Sequence, residues 1–299
     1  MVVAIFGPTA SGKSAVAIAL AERIGGEIVS CDAMQLYRGL PILTNQPTPD
    51  DLHRVPHHAV AVWETDHAGS VAEYAALAHA AIDAVLARGR TPVVCGGSGL
   101  YLRAALADMP LPPQVAASER ERFEHLYDRG GAEAAHTALA AADPLAAAAV
   151  HRNDRRRVVR ALELHAAGAS LAPEHDRLWA ADRRHETTLV GLDVPPALVA
   201  ERITGRTQAM FAGGVADEVR AARRARAFSL TAERIHGLQD VTALLAGRID
   251  QAEAERRLMV RTRRYAKRQR TWMRRLPGLV SVAGERDAAD VAADIEAAL

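Results

Sequence analysis

Gly7-Pro8-Thr9-Ala10-Ser11-Gly12-Lys13-Ser14 places two glycines, a lysine and a hydroxyl at the spacing of the G-x-x-x-x-G-K-[ST] phosphate loop. In such a loop Gly7 and Gly12 let the backbone fold into a cup whose N–H groups point at an anion. The N-terminus of the following helix adds partial positive charge. Lys13 brings a full charge to the outer phosphates, and the Ser14 hydroxyl is placed to ligate a magnesium ion bridging them. A diphosphate or polyphosphate site is expected from Thr9 to Ser14; the plain alternative is a glycine-rich turn that binds nothing. The loop does not say what is done with the phosphate.

Three further groups could carry chemistry. Asp32 follows the apolar run Glu27–Cys31. If that run is a strand, the carboxylate faces the same crevice as the loop, where it could hold magnesium, act as a general base, or merely cap a turn. Ser98 sits in Gly96-Gly97-Ser98-Gly99, where it can hydrogen-bond a ligand or simply belong to a tight turn. Arg202 and Arg206, one helical turn apart, could reach the diphosphate and neutralise a leaving group, or lie exposed on a surface helix. The run Thr91–Cys95 ends in Gly96-Gly97 and not in an acid, which weakens an ATPase reading. The 12 histidines assemble no metal-ligand spacing.

The elements that must position these groups follow from the apolar pattern. Val2–Phe6 reads as a buried strand and Ala15–Ile24 as a helix; Glu27–Cys31 and Thr91–Cys95 read as further strands, with a helix over Ser70–Arg88 opened by a Ser70/Glu73 capping box. Strand and helix alternating in this order predict an α/β fold, a phosphate-loop core whose parallel sheet is sandwiched by helices. Ala33–Pro56 reads as a long loop or a set of short turns, and His57–Trp63 alternates weakly enough to be a strand. The composition changes at Pro110-Leu111-Pro112-Pro113. From Gln114 to about Ala180 the pattern is Ala-rich and helical, interrupted at Gly130-Gly131, Asp143-Pro144 and Gly168, with no convincing strand. The expected organisation is a core of residues 1–113 and 185–299 with a small all-helical insertion domain at 114–184. Strand character returns over Glu186–Val194, followed by helices over Pro195–Phe211, Val215–Arg226, Thr231–Ala246 and Asp250–Arg275, a short run at Leu279–Val282 and a last helix.

The net charge of +1, from 37 basic and 36 acidic residues, conceals segregation. His151 to Arg160 opens a helix with Arg156 and Arg160 on one face. Arg256 to Arg275 holds ten Lys or Arg residues and no acid. A solvated face is the ordinary explanation, but uncompensated cations repel, so a polyanion partner is favoured. Tyr265 and Trp272 within that run are expected in the core. Cys31 and Cys95 form no metal spacing and read as packing thiols. With no signal-like start and no apolar run near bilayer length, a cytoplasmic protein with no membrane partner is expected, acting as a monomer.

The chain resembles the tRNA dimethylallyltransferase (tRNA isopentenyltransferase) family. The resemblance covers nearly its whole length, through the phosphate loop, Ser30-Cys31-Asp32-Ala33-Met34-Gln35-Leu36-Tyr37-Arg38-Gly39, Val55-Pro56-His57-His58, Gly96 to Tyr101, Asp143-Pro144, Asn153-Asp154 with Arg157 through Glu163, and Tyr265 to Trp272. It departs at Ala33, where the family usually has Ser, at Thr44-Asn45-Gln46-Pro47 in place of Thr-Ala-Lys-Pro, and at Gly237-Leu238 in place of Gly-Tyr. The resemblance implies magnesium-dependent transfer of the dimethylallyl group from dimethylallyl diphosphate to N6 of the adenine immediately 3′ of the anticodon. By that likeness Asp32 is the general base, and Ser98 stands where a Thr contacts the reacting adenine. Thr9, Ala10, Ser11, Gly12, Lys13 and Ser14 hold the diphosphate. The tRNA anticodon stem-loop is met by Arg120, by Asp32, Ala33, Met34 and Gln35, by Arg156, Arg157, Val158, Val159 and Arg160, and by Ile235, His236, Gly237, Leu238, Gln239 and Asp240.

Other readings share parts of the pattern. A small-molecule kinase would use the loop and magnesium but leaves both arginine stretches unexplained. A transferase acting on a free adenine nucleotide would not need the basic helices, and a non-catalytic RNA-binding protein using the loop as a nucleotide switch would make no prenyl product.

Overall fold

The computed structural model describes residues 1–109, 115–172 and 182–299. These form two compact units, one from residues 1–108 and 178–299, the other from 109–177. Among the described residues no helix is long and apolar enough to cross a membrane.

The larger unit is built on a parallel sheet of β1 (Val2–Phe6), β2 (Glu27–Ser30), β3 (His57–His58), β4 (Pro92–Gly96), β5 (Thr187–Asp193) and β6 (Leu279–Ala283), in the order β3-β2-β4-β1-β5-β6. Every residue of β1, β2 and β4 is buried, the mark of parallel strands covered on both faces. Its helices are α1 (Lys13–Ile24), α2 (Pro41–Thr44), α3 (Pro49–Arg54), α4 (Val71–Ala87) and α5 (Gly99–Leu106), and, after the smaller unit's α6 to α8, α9 (Pro196–Ala212), α10 (Val215–Ala225), α11 (Leu238–Leu245), α12 (Gln251–Met273) and α13 (Ala288–Ala297). Val3 and Ile5 join Val16, Leu20, Val291 and Ile295 of α1 and α13 in one apolar cluster. The alternation along the strand sends Ala4 and Phe6, also fully buried, to the other face.

The smaller unit contains α6 (Ala117–Ala142), α7 (Pro144–Ala149) and α8 (Arg155–Ala166), with no strand among its described residues. Gly131, at φ 79°, breaks α6 where the glycine pair predicts a break. Asp143 caps α7 by accepting from the Ala146 N–H at 2.9 Å, with Pro144 at the first helical position. Phe123, Leu139, Val158, Val159 and Leu162 form its core. Residue 114 and residues 173–181, included in the expected insertion, lie outside the described residues.

Three expectations are corrected. The segment 33–56 is not purely loop. Thr48 and Asp51 make a reciprocal capping box that starts α3, and α2 is a single turn. Only His57 and His58 of the expected 57–63 strand pair with β2. The helix expected over 231–246 is a 3-10 turn at Ala232–Arg234 followed by α11, because Gly237 takes φ 88° between them.

The β1, β2 and β4 carboxyl ends lie on one edge of the sheet, and a side chain from near the chain's other end locks that edge together. Gln269 of α12 is 3% exposed; its Oε1 accepts from the Thr9 N–H at 2.7 Å and its Nε2 donates to the Gly97 carbonyl at 2.8 Å. A Cβ on Gly97 would stand 2.2 Å from Gln269 Nε2 and 2.8 Å from the Gly7 carbonyl oxygen. Gly97→Ala is therefore expected to destabilise the larger unit by about 1–3 kcal/mol, read as a lower denaturation midpoint. An unchanged midpoint would mean the lock gives without cost.

Candidate active site

A cleft of about 360 Å³ opens at this sheet edge, lined by the phosphate loop, Asp32, the 43–48 segment, Arg206, His236 and Tyr265. The loop turns through Ala10 at φ 63° and Gly12 at φ 90°, and Gly12 is the N-terminal residue flanking α1. Ser11 N–H donates to the Pro8 carbonyl at 3.2 Å, while the Ser11 hydroxyl is buried without a partner. Lys13 and Ser14, on the first turn of α1, both line the cleft.

Both arginines of α9 reach the loop. Arg206 Nη2 donates to Thr9 Oγ1 at 2.6 Å, and Arg202 Nη1 to the Ser11 carbonyl at 3.3 Å. Burial lowers the Arg206 pKa, and the charge of Asp32 acts in the opposite direction. Thr9, Ala10, Gly12, Lys13, Ser14 and Arg206 thus meet in one cleft, with Ser11 buried behind them.

Asp32 does two of the things its position allows. Its Oδ1 accepts from the Met34 N–H at 3.0 Å, the turn-capping geometry, and its own N–H donates to Ser30 Oγ at 3.3 Å. It also lines the cleft and makes no ion pair among the described residues, leaving a carboxylate oxygen available to a ligand. Met34 and Gln35 line the cleft beside it, and Ala33 does not. Ser98 flanks the start of α5, where its side chain makes no capping hydrogen bond, and it is not among the residues lining the cleft.

The 235–240 stretch is mostly turned inward. Ile235, Leu238 and Asp240 are buried, and Asp240 is held by Arg261 at 3.0 and 3.3 Å, so His236 and Gln239 are what it presents. In the smaller unit Val158 and Val159 of the expected 156–160 contact stretch likewise face the core. Arg156 and Arg157 are exposed, Arg160 pairs with Glu163 at 3.0 Å and Arg120 with Glu124 at 3.2 Å.

Tyr265 is not a core residue as expected; it forms part of the cleft wall. Its ring stands 5.5 Å from that of His236. Thr262 Oγ1 donates to the Leu258 carbonyl at 2.8 Å, so it accepts from His236 Nε2 at 2.9 Å, which assigns the proton to that nitrogen. Burial, with Arg261 and Arg206 nearby, pushes the His236 pKa down to about 4, so the ring is neutral near pH 7. His236 also borders a second hollow of about 550 Å³ that holds Arg234, Arg256, Arg257, Arg261, Arg264 and Arg268.

The α12 cations are not all uncompensated: an acid on the helix's own first turn meets two of them, and tertiary folding brings acids to two more. Arg256 and Arg257 meet Glu253, Arg261 meets Asp240, and Arg270 meets Asp193 at 3.5 Å. At about 100° per residue Arg257, Arg261, Arg264 and Arg268 fall on one flank of the buried seam Leu258-Thr262-Ala266-Met273, and Arg263, Lys267, Arg270 and Arg274 on the other. The first flank borders the His236 hollow.

The donors fit magnesium. Among the described residues no group of three His, Cys, Asp or Glu side chains could form a cage, while the Ser14 hydroxyl and the Asp32 carboxylate line one cleft. An ion that keeps several waters and takes its other ligands from phosphates needs no more from the protein. Gln269 and Tyr265 are the site residues that sequence reasoning assigned no role in the cleft. In the sequence they are only a glutamine and an aromatic within an otherwise basic helix, which points to no partner for either.

The IPP transferase family model matches residues 35–276 and the isopentenyl transferase model residues 1–60. A tRNA dimethylallyltransferase of Anaeromyxobacter sp. (strain Fw109-5) is 44% identical over 98% of this chain and 97% of that protein; one from Streptomyces avermitilis is 42% identical over 92% and 88%. The crystal structure of the full-length tRNA isopentenylpyrophosphate transferase from Bacillus halodurans superposes with a TM-score of 0.71 at 31% identity, covering 99% of this chain and 95% of that one. A eukaryotic dimethylallyltransferase acting on tRNA shares the fold, with a TM-score of 0.71 at 22% identity over 94% of this chain and 74% of that one. With the phosphate cup and the Asp32 carboxylate in one cleft and this likeness running along nearly its full length, the chain belongs to the tRNA dimethylallyltransferase family.

Proposed function

We propose that the chain transfers a dimethylallyl group from dimethylallyl diphosphate to N6 of the adenine immediately 3′ of the anticodon in tRNA. The carrying observation is that one cleft holds a phosphate cup, Arg206 fastened to it, and a carboxylate with an oxygen to spare. The adenine amine is a weak nucleophile because its lone pair is delocalised into the ring. It must be oriented, and its proton removed as the bond forms. Asp32 takes that proton. The N6–C1 bond forms as the C1–O bond to diphosphate breaks, and the electron pair leaves with the diphosphate. Lys13, Arg206 and the loop N–H groups not already held by Gln269 and the Pro8 carbonyl are the donors this reading assigns to that growing charge. Magnesium, when bound at Ser14, supplies further charge neutralisation to the diphosphate. The target base has to leave the stack to enter a cleft, and an unpaired anticodon loop lowers that cost. Free, buried Cys31 and Cys95 accord with action in the reducing cytoplasm, as a monomer.

Incubation with unmodified tRNA, labelled dimethylallyl diphosphate and magnesium is expected to transfer label. Asp32→Ala should slow transfer by at least ~100-fold while leaving the tRNA dissociation constant unchanged; undiminished turnover would remove the general-base role. Chelation by EDTA should stop label transfer, and magnesium but not sodium should restore it; full transfer in excess chelator would reject the metal. Binding of tRNA should weaken steeply with salt as counterions are released. Arg264→Glu with Arg268→Glu should reduce the slope of log affinity against log salt by roughly 2, more than Lys267→Glu with Arg274→Glu on the opposite flank. Equal losses from the two flanks would deny that the hollow beside His236 is the grip.

A further inference from the structure

Glu218 of α10 lies outside every motif discussed above, yet it is tied to the cleft wall by two short hydrogen bonds. Its Oε2 accepts from the Ile42 N–H at 2.7 Å and its Oε1 from the Leu43 N–H at 2.8 Å. These are amides of α2, a single turn whose flanking residue Leu40 offers no side-chain cap. The carboxylate is half-buried and makes no ion pair among the described residues. A negative charge on two otherwise unpaired helix amides is a strong arrangement, because both bonds are charge-assisted and aligned with the turn's dipole.

What α2 carries explains why this attachment matters. Leu43, Thr44, Asn45 and Gln46 all line the cleft. The turn ends at Asn45, held at φ 53°, and the Asn45 carbonyl accepts from Gln35 Nε2 at 2.6 Å. Gln35 Oε1 in turn accepts from Ser30 Oγ at 2.8 Å, and Ser30 Oγ accepts from the Asp32 N–H at 3.3 Å. Gln46 Nε2 closes the wall by donating to the Tyr37 carbonyl at 2.7 Å. An unbroken run of hydrogen bonds therefore leads from Glu218, through α2 and Gln35, to the backbone of Asp32. The phosphate cup is fastened by a different set: Gln269, Arg202 and Arg206.

We propose that Glu218 is a positioning residue for the transfer step: by capping α2 it fixes the wall that, through Gln35 and Ser30, aims Asp32 at the nucleobase. The proposal rests on Asp32 being the base. Because the wall and the cup are fastened separately, loss of Glu218 acts on the rate of the chemical step and not on the hold on the diphosphate.

The test is single-turnover transfer with the whole chain and tRNA. Glu218→Gln keeps the size but replaces one of the two accepting oxygens with an NH2 group, so one of the two N–H donors loses its acceptor and meets a donor instead. It should slow single turnover by about tenfold or more, with the dissociation constant for dimethylallyl diphosphate within about twofold of the parent. Gln35→Ala should do the same, and the double variant should be little worse than the slower single, because both break one run of bonds. Amides 42–46 should exchange hydrogen faster in Glu218→Gln. An unchanged single-turnover rate, multiplicative losses in the double variant, or diphosphate affinity falling in step with the rate would each overturn the proposal. Asp32→Ala run in parallel separates the two readings. If it is inactive while Glu218→Gln is normal, only the positioning role falls. If it still turns over, the Asp32 assignment falls and takes this route with it.

Discussion

A concentrated anion can be bound and released as a leaving group only where its donors are already in place, because donors that had to reorganise during the reaction would cost what they give. The phosphate loop cannot meet that demand alone. Gly12 and Ala10 allow its shape, but Thr9 is fixed from outside, its N–H held by Gln269 and its hydroxyl by Arg206. Both partners come from helices more than 190 residues further along the chain. The sheet places the loop on the same edge as Asp32, and the C-terminal helices then fasten that loop.

This division explains what the sequence made legible. The loop, the strand preceding it and the capping box of α4 are local features, so their residues announce them. Arg202 and Arg206 were readable as candidates from their one-turn spacing, but a surface helix would show the same spacing. Only the packing of α9 against the loop decides between them. Asp32 was legible as a choice among three roles, of which the structure shows the turn cap, made by one oxygen while the residue also lines the cleft. Gln269 and Glu218 were not legible at all. A glutamine within a run of arginines and a glutamate beside an aspartate carry no pattern, since their partners are 260 and about 175 residues away. The buried members of the expected RNA-contacting set show the opposite limit. Val158, Val159 and Leu238 sit within stretches whose neighbours face out, and helix periodicity turns them in.

The basic helix α12 shows why charge counted along the sequence overstates charge in space. Ten cations in a row look unopposed, but Glu253, one turn before them on the same helix, meets two, and Asp240 and Asp193 are folded onto two more. The arginine-rich start of α8 is tempered in the same way, with Arg155 on Asp128 at 2.7 Å and Arg160 on Glu163. Such pairs limit self-repulsion in the folded chain while leaving selected groups, Arg264 and Arg268 among them, without an acid among the described residues. Long-range attraction of a polyanion follows from the remainder and not from the total.

His236 sits where that basic surface meets the cleft, and its neutrality follows from the same surroundings. Burial penalises a proton on this ring, and the neighbouring Arg261, Arg206 and Arg268 add to the penalty. With Nε2 committed to Thr262, what His236 offers beside Tyr265 is an aromatic face and one acceptor nitrogen. A cation there would add to an anion grip that the arginines already provide. A neutral ring contributes what they cannot, a flat polarisable surface at the mouth of a cleft read as receiving a nucleobase. On the proposed reading the histidine is therefore suited to the base and the arginines to the backbone, and burial, reinforced by the arginines' charge, is what keeps the histidine suited to it.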